Sequence, residues 1–364
     1  MKICFIAPAN NYHTQKWSKW FDKRGHQVYV ISFTEGSIED VVVYVVRTGA
    51  RPDAKDSSKL KYLLHAREII RLVDKIKPDI VNVHYASSYG AVTALSGLKG
   101  YVLSLWGSDV YDFPKKDILH KYLLKFSLKK AEYIFSTSKA MADEARRYTN
   151  KGIDITPFGV DIELFNPNKR VRSYESDGVI RIGTVKALTP KYGIDCLIKA
   201  FALFIQSRKA DSVRLEIAGK GECEEQYKRL AHDIGIEDFI IWHGFVTQEK
   251  AAEIWANLDI AVVPSESESF GVSAVEAQAS GTPVIISDIP GLMEATMPEV
   301  TSIVFGRGNE KELANIIERL VNDSDCRHEM QQRARQFVSE RYEIHKCFSE
   351  VEQLFDKIIR GEKW

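Results

Sequence analysis

The sequence predicts an α/β protein in two domains, with buried parallel strands joined by helices. Three observations carry this. Apolar runs of strand length recur along the chain, each followed by a polar loop and a stretch of helical spacing, the alternation that βαβ units require. Runs such as KICFIA (Lys2–Ala7) and DIAVVP (Asp259–Pro264) are apolar nearly throughout, as in strands covered on both faces. A chain of 364 residues also exceeds what one hydrophobic core usually serves.

The front half follows this pattern in order. After KICFIA comes the loop PANNYH, then TQKWSKWFDKR at helical spacing, with Thr14 as candidate N-cap and Gly25 as stop. HQVYVIS and VVVYVV read as strands, and Lys59–Lys77 as a basic amphipathic helix ending before Pro78. DIVNVHYASSYG is a strand entering a loop, with His84 at the strand's carboxyl end, the edge where open α/β sheets collect ligands. YVLSLWGSDV repeats that design and carries Asp109, read equally as a ligand-orienting carboxylate or a cap of the following segment. From Lys115 to Lys130 six lysines and one acid are interleaved with Ile118, Leu119 and Tyr122, which suits either a solvated helix face or a rest on anionic lipid. The polar stretch Lys169–Gly178 marks the domain boundary, giving expected domains 1–168 and 169–343 and a final helix 344–364.

In the back half, VIRIGTVKALTPKYG places Lys186 and Lys191 in a strand-to-helix loop. Fixed cations there suit the negative charge of a phosphate group, although two loop lysines standing alone would be read as solvated. VRLEIAGKGECEE has a Gly-Lys-Gly turn, but Glu224 stands where a dinucleotide fingerprint needs its third glycine, which argues against an NAD site. The stretch PSESESFGVSAVEAQASGTPVIIS (Pro264–Ser287) reads as loop, helix, glycine stop at Gly281 and strand, with Glu268 in the loop and Glu276 about two turns into the helix. A helix start behind a small-residue turn offers unpaired N–H groups, and Glu276 can accept bonds from a vicinal diol. Asp323-Ser324-Asp325 has the bare spacing of a metal motif, but with no strand leading in it reads as a helix cap. The Asn309–Asp356 region reads as helical, with an amphipathic tail, Ile344–Ile359.

Composition bounds the function classes. No apolar run approaches bilayer length, and the opening residues read as strand and loop rather than a secretory signal. The five cysteines are scattered and lack a C-x-x-C pair, so reduced thiols in a cytoplasmic protein are expected, without zinc or disulfides. The zero net charge hides an asymmetry, since residues 1–165 hold 25 basic against 18 acidic side chains and the remainder 25 against 32. A neutral total disfavours general nucleic-acid binding.

E-S-F-G-V-S-A-V-E, followed by A-x-A-S-G-T-P-V, resembles the glutamate–seven residues–glutamate signature of retaining GT-B glycosyltransferases, in particular glycosyltransferase family 4. The resemblance implies two Rossmann-like, doubly wound domains facing across a cleft, with the last helix crossing back to the first domain. It implies transfer of a sugar from a nucleotide diphosphate sugar, UDP-linked by default, to a hydroxyl acceptor on a glycan or lipid-linked glycan, with retention. Neither a metal nor a cofactor is implied, the nucleotide-sugar being a substrate. Glu276 would hold the ribose hydroxyls and Glu268 the transferred sugar, while Ser269, Phe270, Gly271 and Val272 bring backbone to sugar and phosphate. Gly244 to Val246 would pack on the base, and Lys186 with Lys191 would stand for the family's Arg/Lys clamp. IPGLMEAT resembles a family loop carrying an acid, here Glu294. N-V-H-Y resembles the motif whose histidine, here His84, faces the transferred sugar. Asn11 and His13 replace a glycine-rich first loop on the acceptor side with Asp109, His13 reading also as a plain helix-entry residue. The expected setting is cytoplasmic, with peripheral contact at the inner membrane face left open. A GT-B-fold sugar-nucleotide epimerase and a non-catalytic nucleotide-sugar binder share these features.

Overall fold

A computed structural model describes residues 1–48, 60–171, 178–206 and 212–362. The chain divides into two compact units, Met1–Phe158 joined by the chain from Cys347 onward, and Gly159–Lys346. The expected boundary at 168/169 lies ten residues further on. Of the linker Lys169–Gly178, residues 172–177 lie outside the described residues, as does Lys59.

The first unit is a seven-stranded sheet, every pair parallel, in the order β3-β2-β1-β4-β5-β6-β7. Its strands are β1 (Lys2–Ile6), β2 (Gln27–Ser32), β3 (Val42–Val45), β4 (Ile80–His84), β5 (Val102–Leu105), β6 (Tyr133–Ser136) and β7 (Asp154–Ile155). The order reverses between β1 and β4, so a crevice opens at their carboxyl ends, where the loop holding Asn11 and the residue after His84 lie. The second unit is a six-stranded parallel sheet, ordered β10-β9-β8-β11-β12-β13. These are β8 (Ile180–Val185), β9 (Val213–Ala218), β10 (Ile240–Gly244), β11 (Ile260–Val263), β12 (Val284–Ser287) and β13 (Ser302–Phe305). Here the switch falls between β8 and β11, next to Lys186 and to the Pro264–Ser269 loop.

Several local expectations change. The helix Tyr12–Lys23 is capped by Asn11, whose side chain accepts from the N–H of His13 and Thr14, and Thr14 is buried inside it. Asn11 holds the extended backbone a cap needs, and so starts the helix before Thr14 can. The single basic helix up to Lys77 is a 3-10 turn, Leu60–His65, followed by the helix Ala66–Ile76. Gly271, at φ 91°, caps a helix of only eight residues, Val272–Ala279, so Glu276 sits little more than one turn in rather than two. Gly281 stops that helix at φ 71°, as its position implied. Glu294 belongs to a short helix, Pro290–Ala295, and not to a loop. Asp323 caps the helix Ser324–Arg341 by accepting from the Cys326 N–H at 2.9 Å.

The helix Ile344–Ile359 packs on the first unit through its second to fourth turns. Phe348 meets Trp17 at 5.3 Å and Phe355 meets Phe21 at 5.6 Å, while Glu352 accepts from His26 at 2.5 Å and Arg24 at 3.1 Å. Burial pushes the Glu352 carboxyl up, but the bonds from His26 and Arg24 outweigh it and hold the carboxyl below its usual range. A depressed folded value means that this stabilisation is present above the ordinary glutamate range and is lost as pH falls through the folded value. Glu352→Gln is expected to cost about 1–2 kcal/mol at neutral pH, discounted for the exposed Arg24. Urea titrations at pH 7 and at progressively lower pH check this, the difference from wild type shrinking as the pH falls below the ordinary glutamate range.

Candidate functional site

In the second unit, the loops after β8, β9 and β10 are tied together by backbone bonds. The Lys186 N–H donates to Ala218 O at 2.9 Å, that of Leu188 to Lys220 O at 3.0 Å, and that of Gly219 to Gly244 O at 2.7 Å. The Gly-Lys-Gly turn serves this contact. A Cβ on Gly219 would lie 1.9 Å from Lys186 O, and one on Gly221 would lie 2.1 Å from Leu188 O. These glycines let one loop backbone rest on another. Gly219→Ala is therefore expected to push Lys186 from its place, costing about 2 kcal/mol of stability and most of the activity. Thermal unfolding and turnover measured together check this, and a fully active variant would contradict the contact.

Lys186 enters the crevice with its side chain only 8% exposed. Its Nζ donates to Glu268 Oε2 at 2.5 Å and to Ser273 Oγ at 3.3 Å, and lies 4.4 Å from the Tyr192 ring centre. Burial pulls the Lys186 pKa down, but the Glu268 carboxylate, Tyr192 and the Glu276 carboxylate together raise it above the ordinary lysine value. Glu276, itself buried, thus shares a field with Lys186 and Glu268. Lys191 is exposed, its Nζ 4.9 Å from the same Tyr192 ring, and its carbonyl accepts from the Glu266 N–H at 2.8 Å. That bond ties the loop after β8 to the loop after β11. Gly193, at φ 63°, makes the approach possible, since a Cβ there would lie 2.0 Å from Pro264 O.

The turn into the Val272–Ala279 helix is held from behind. Phe270 is buried and meets Tyr342 edge-on at 5.1 Å, so its ring anchors the turn and leaves the Phe270-Gly271 backbone as the part able to face a ligand. Ser269 and Val272 are half-buried on either side. Gly244 ends β10 at φ 66°, followed by the exposed Phe245 and half-buried Val246. Lys186, Lys191, Glu268 and Glu276 are thus brought to one edge of one sheet. Ser273 and Tyr192 complete the group, and sequence reasoning missed both. Ser273 lies three residues before Glu276, a spacing that puts both on one helix face, so a signal for it was present.

In the first unit His84 ends β4 fully buried. Its Nε2 lies 2.9 Å from Asn82 Oδ1, and its ring is 4.0 Å from that of Trp106 and 5.5 Å from that of Trp17. Burial first, then the neighbouring His13, hold the His84 pKa well below the usual histidine value. His13 stacks on Phe158 at 4.0 Å, and its pKa is pushed down to about 3 by burial and then by Lys16. Both imidazoles are neutral near pH 7. Asp109 is fully buried and accepts from the N–H groups of Ala86 and Gly107, each at 2.8 Å, and of Trp106 at 3.2 Å. It clamps the loop after β4 to the loop after β5, and since it lies inside the short helix Ser108–Tyr111 and makes no cap bond to that helix, it is not the cap of the following segment. Burial raises its pKa against the pull of those N–H groups.

A cavity of about 580 Å³ opens at this edge, lined by Asn10, Asn11, Tyr62, Tyr85, Lys116 and His120 among others. Of the three acceptor-side residues expected from sequence, Asn11 lines it, whereas His13 and Asp109 do not. Tyr85, unanticipated from sequence, is held at φ 69°, and its hydroxyl lies 3.3 Å from Asn11 Nδ2. Such backbone strain in a non-glycine residue gathers at functional edges. Among the described residues no group of three or more His, Cys, Asp or Glu is arranged to hold a metal ion.

Two family descriptions match the chain, "Glycosyl transferase 4-like" over residues 2–138 and "Glycosyl transferases group 1" over residues 166–337. An uncharacterized glycosyltransferase of Methanocaldococcus jannaschii is 25% identical over 340 residues, covering 90% of this chain and 88% of the relative. The D-inositol 3-phosphate glycosyltransferase of Pseudarthrobacter chlorophenolicus is 32% identical over 211 residues, 55% of this chain and 50% of that protein. The chain spans about half the length of most of the curated relatives it matches. Among solved structures, Anabaena HepE in complex with UDP-glucose superposes with a TM-score of 0.80 at 18% identity, over 98% of this chain and all of that one. The two doubly wound parallel sheets are the GT-B architecture that the sequence implied. With the two family descriptions together taking in most of its length, the chain belongs to the group 1, family 4-like glycosyltransferases.

Proposed function

We propose that this protein transfers a sugar from a nucleotide diphosphate sugar, UDP-linked by default, to a hydroxyl of a glycan or lipid-linked acceptor with retention of configuration. The observation that carries the reading is the convergence of Lys186, Glu268, Ser273 and Glu276 at the switch point of the second sheet. Glu276 accepts from the ribose hydroxyls, and Glu268 from those of the transferred sugar. Gly244 to Val246 pack on the base. The Ser269–Val272 turn presents backbone N–H groups to the diphosphate, where Lys186 and exposed Lys191 add fixed positive charge as the leaving group departs. In such a site the leaving diphosphate takes the acceptor's proton, and no dedicated base is required. The resemblance gives His84 to the transferred sugar, but its ring is fully buried against Trp106 and Trp17, so no contact with the sugar is proposed for it.

The Anabaena neighbour crystallised with UDP-glucose supports the donor class, and the name of the D-inositol 3-phosphate relative supports a polyol or sugar acceptor. In the basic helix Ile118–Lys130, Ile118, Leu119 and Tyr122 are exposed, which supports peripheral rest on anionic lipid. No helix among the described residues is long and apolar enough to cross a membrane.

A thermal-shift screen of UDP-, GDP- and ADP-sugars, followed by assay of nucleotide release from the best binder, tests the reading. A stabilising UDP-sugar that slowly releases UDP is the expected result. Absence of any nucleotide-sugar shift would overturn it. Epimerised sugar formed without acceptor would move the assignment to an epimerase, and binding without turnover on cell-derived acceptors would move it to a sensor.

A further inference from the structure

The second unit has another cavity, at the opposite edge of its sheet. It measures about 590 Å³ and lies where β11 and β12 begin, next to Asp259 and Ser280. The donor cluster stands at the strands' carboxyl ends, so the two sites share no side chain.

The walls of this cavity are strongly basic. Arg170, Arg327 and Arg335 line it, and Asp259, which Arg170 engages, is the one carboxylate among the described lining residues. Arg335 sends Nη1 to Phe165 O at 2.7 Å and Ala279 O at 2.5 Å, and Nη2 to Ile162 O at 3.0 Å. These partners are neutral carbonyls, and burial presses down on the charged form of this guanidinium, opposed only by the nearby Glu163. Arg327 is 4% exposed and donates to Leu320 O and Val321 O. Arg327 thus meets last-turn carbonyls of the helix Glu310–Asn322, and Arg335, bonded to the helix-end carbonyl of Ala279 and to two loop carbonyls, keeps further N–H groups of its planar fork. Ser280, on the same wall, has a buried hydroxyl that no protein group meets. Gln331 and Gln332 add amides at the rim.

We propose that this cavity binds a small phosphorylated anion, an inorganic phosphate or a phosphate monoester of sugar size. A dianion supplies the negative charge that the lining lacks, and phosphate oxygens match guanidinium N–H groups in pairs. The volume leaves room for a sugar-sized group beyond the phosphate. The site stands on its own residues and does not depend on the donor reading.

Calorimetry on the full chain at low salt, with inorganic phosphate and with glucose 6-phosphate as probes, separates the bare anion from the monoester. Saturable binding of at least one probe is expected. Gln332→Glu places a carboxylate at the rim from an exposed helix position, and should weaken binding at least about tenfold by repulsion without touching the core. Gln332→Lys should tighten it. Arg335→Ala should abolish binding, but it also strips three carbonyls of their donor, so the Gln332 pair decides if that variant fails to fold. Lys191→Ala should leave phosphate binding unchanged. No saturable heat with either probe, indifference to both Gln332 changes, or loss of binding in Lys191→Ala would each overturn the site.

Discussion

Lys186→Met is expected to abolish sugar transfer and to cost about 3–5 kcal/mol of stability, because it leaves the Glu268 carboxylate buried without its cation. The two side chains are 8% and 12% exposed and 2.5 Å apart, and Ser273 Oγ loses a donor at the same time. Methionine preserves length and bulk, so the loss reports charge rather than a hole. Lys186→Met with Glu268→Gln should recover much of the stability, since a neutral amide is cheaper to bury than an unpaired carboxylate, while transfer stays down by at least about a hundredfold. Urea unfolding and turnover of the best donor, measured on both variants, separate the two effects. Wild-type turnover in the single variant would remove Lys186 from the donor site. The pair's pH dependence has a definite sign. The Lys186 pKa is raised in the folded protein, so its contribution is complete below the ordinary lysine range and is lost only as pH rises through the higher folded value. Stability from this pair should therefore be flat from pH 6 to pH 9, by roughly the reference lysine value.

Glu276→Ala is expected to weaken binding of a UDP-sugar by about 1–3 kcal/mol, roughly five- to 150-fold, through lost bonds to the ribose hydroxyls. Glu276 also feeds the field that keeps Lys186 charged, so a loss of affinity by itself would not identify its partner. Calorimetry with UDP and with pyrophosphate resolves this. A contact to ribose predicts a loss with UDP and little change with pyrophosphate, which has no ribose. Equal losses for both would make Glu276 an electrostatic neighbour of Lys186, and unchanged affinity for UDP would take it out of the pocket.

Much of this site was readable before any coordinates. The alternation of strand-length apolar runs with helical stretches put His84 at a strand's carboxyl end and Lys186, Lys191 and Glu268 in loops beyond such ends, and the spacing of Glu268 and Glu276 marked a loop-to-helix entry. These features are local, and a window of about twenty residues contains all the information they need. Helix boundaries were less legible. Asn11 displaced Thr14 as a cap, and Gly271 delayed the central helix, because competing cap residues differ by a kilocalorie or less and the surrounding loop decides between them.

The sequence by itself determined the layered α/β architecture, the edge on which the chemistry sits and the residue types available there. Tertiary structure alone decided which of those residues meet. Lys186 and Glu268 are 82 positions apart and pair because β8 and β11 lie side by side at the switch point, an order no local pattern encodes. In the same way Asp109 became a clamp between two loops, His84 was walled in by Trp17 and Trp106, and the Gly219 turn came to rest on Lys186. Each depends on strand order and on backbone approaches between distant segments, and those are set by burying the whole sheet at once.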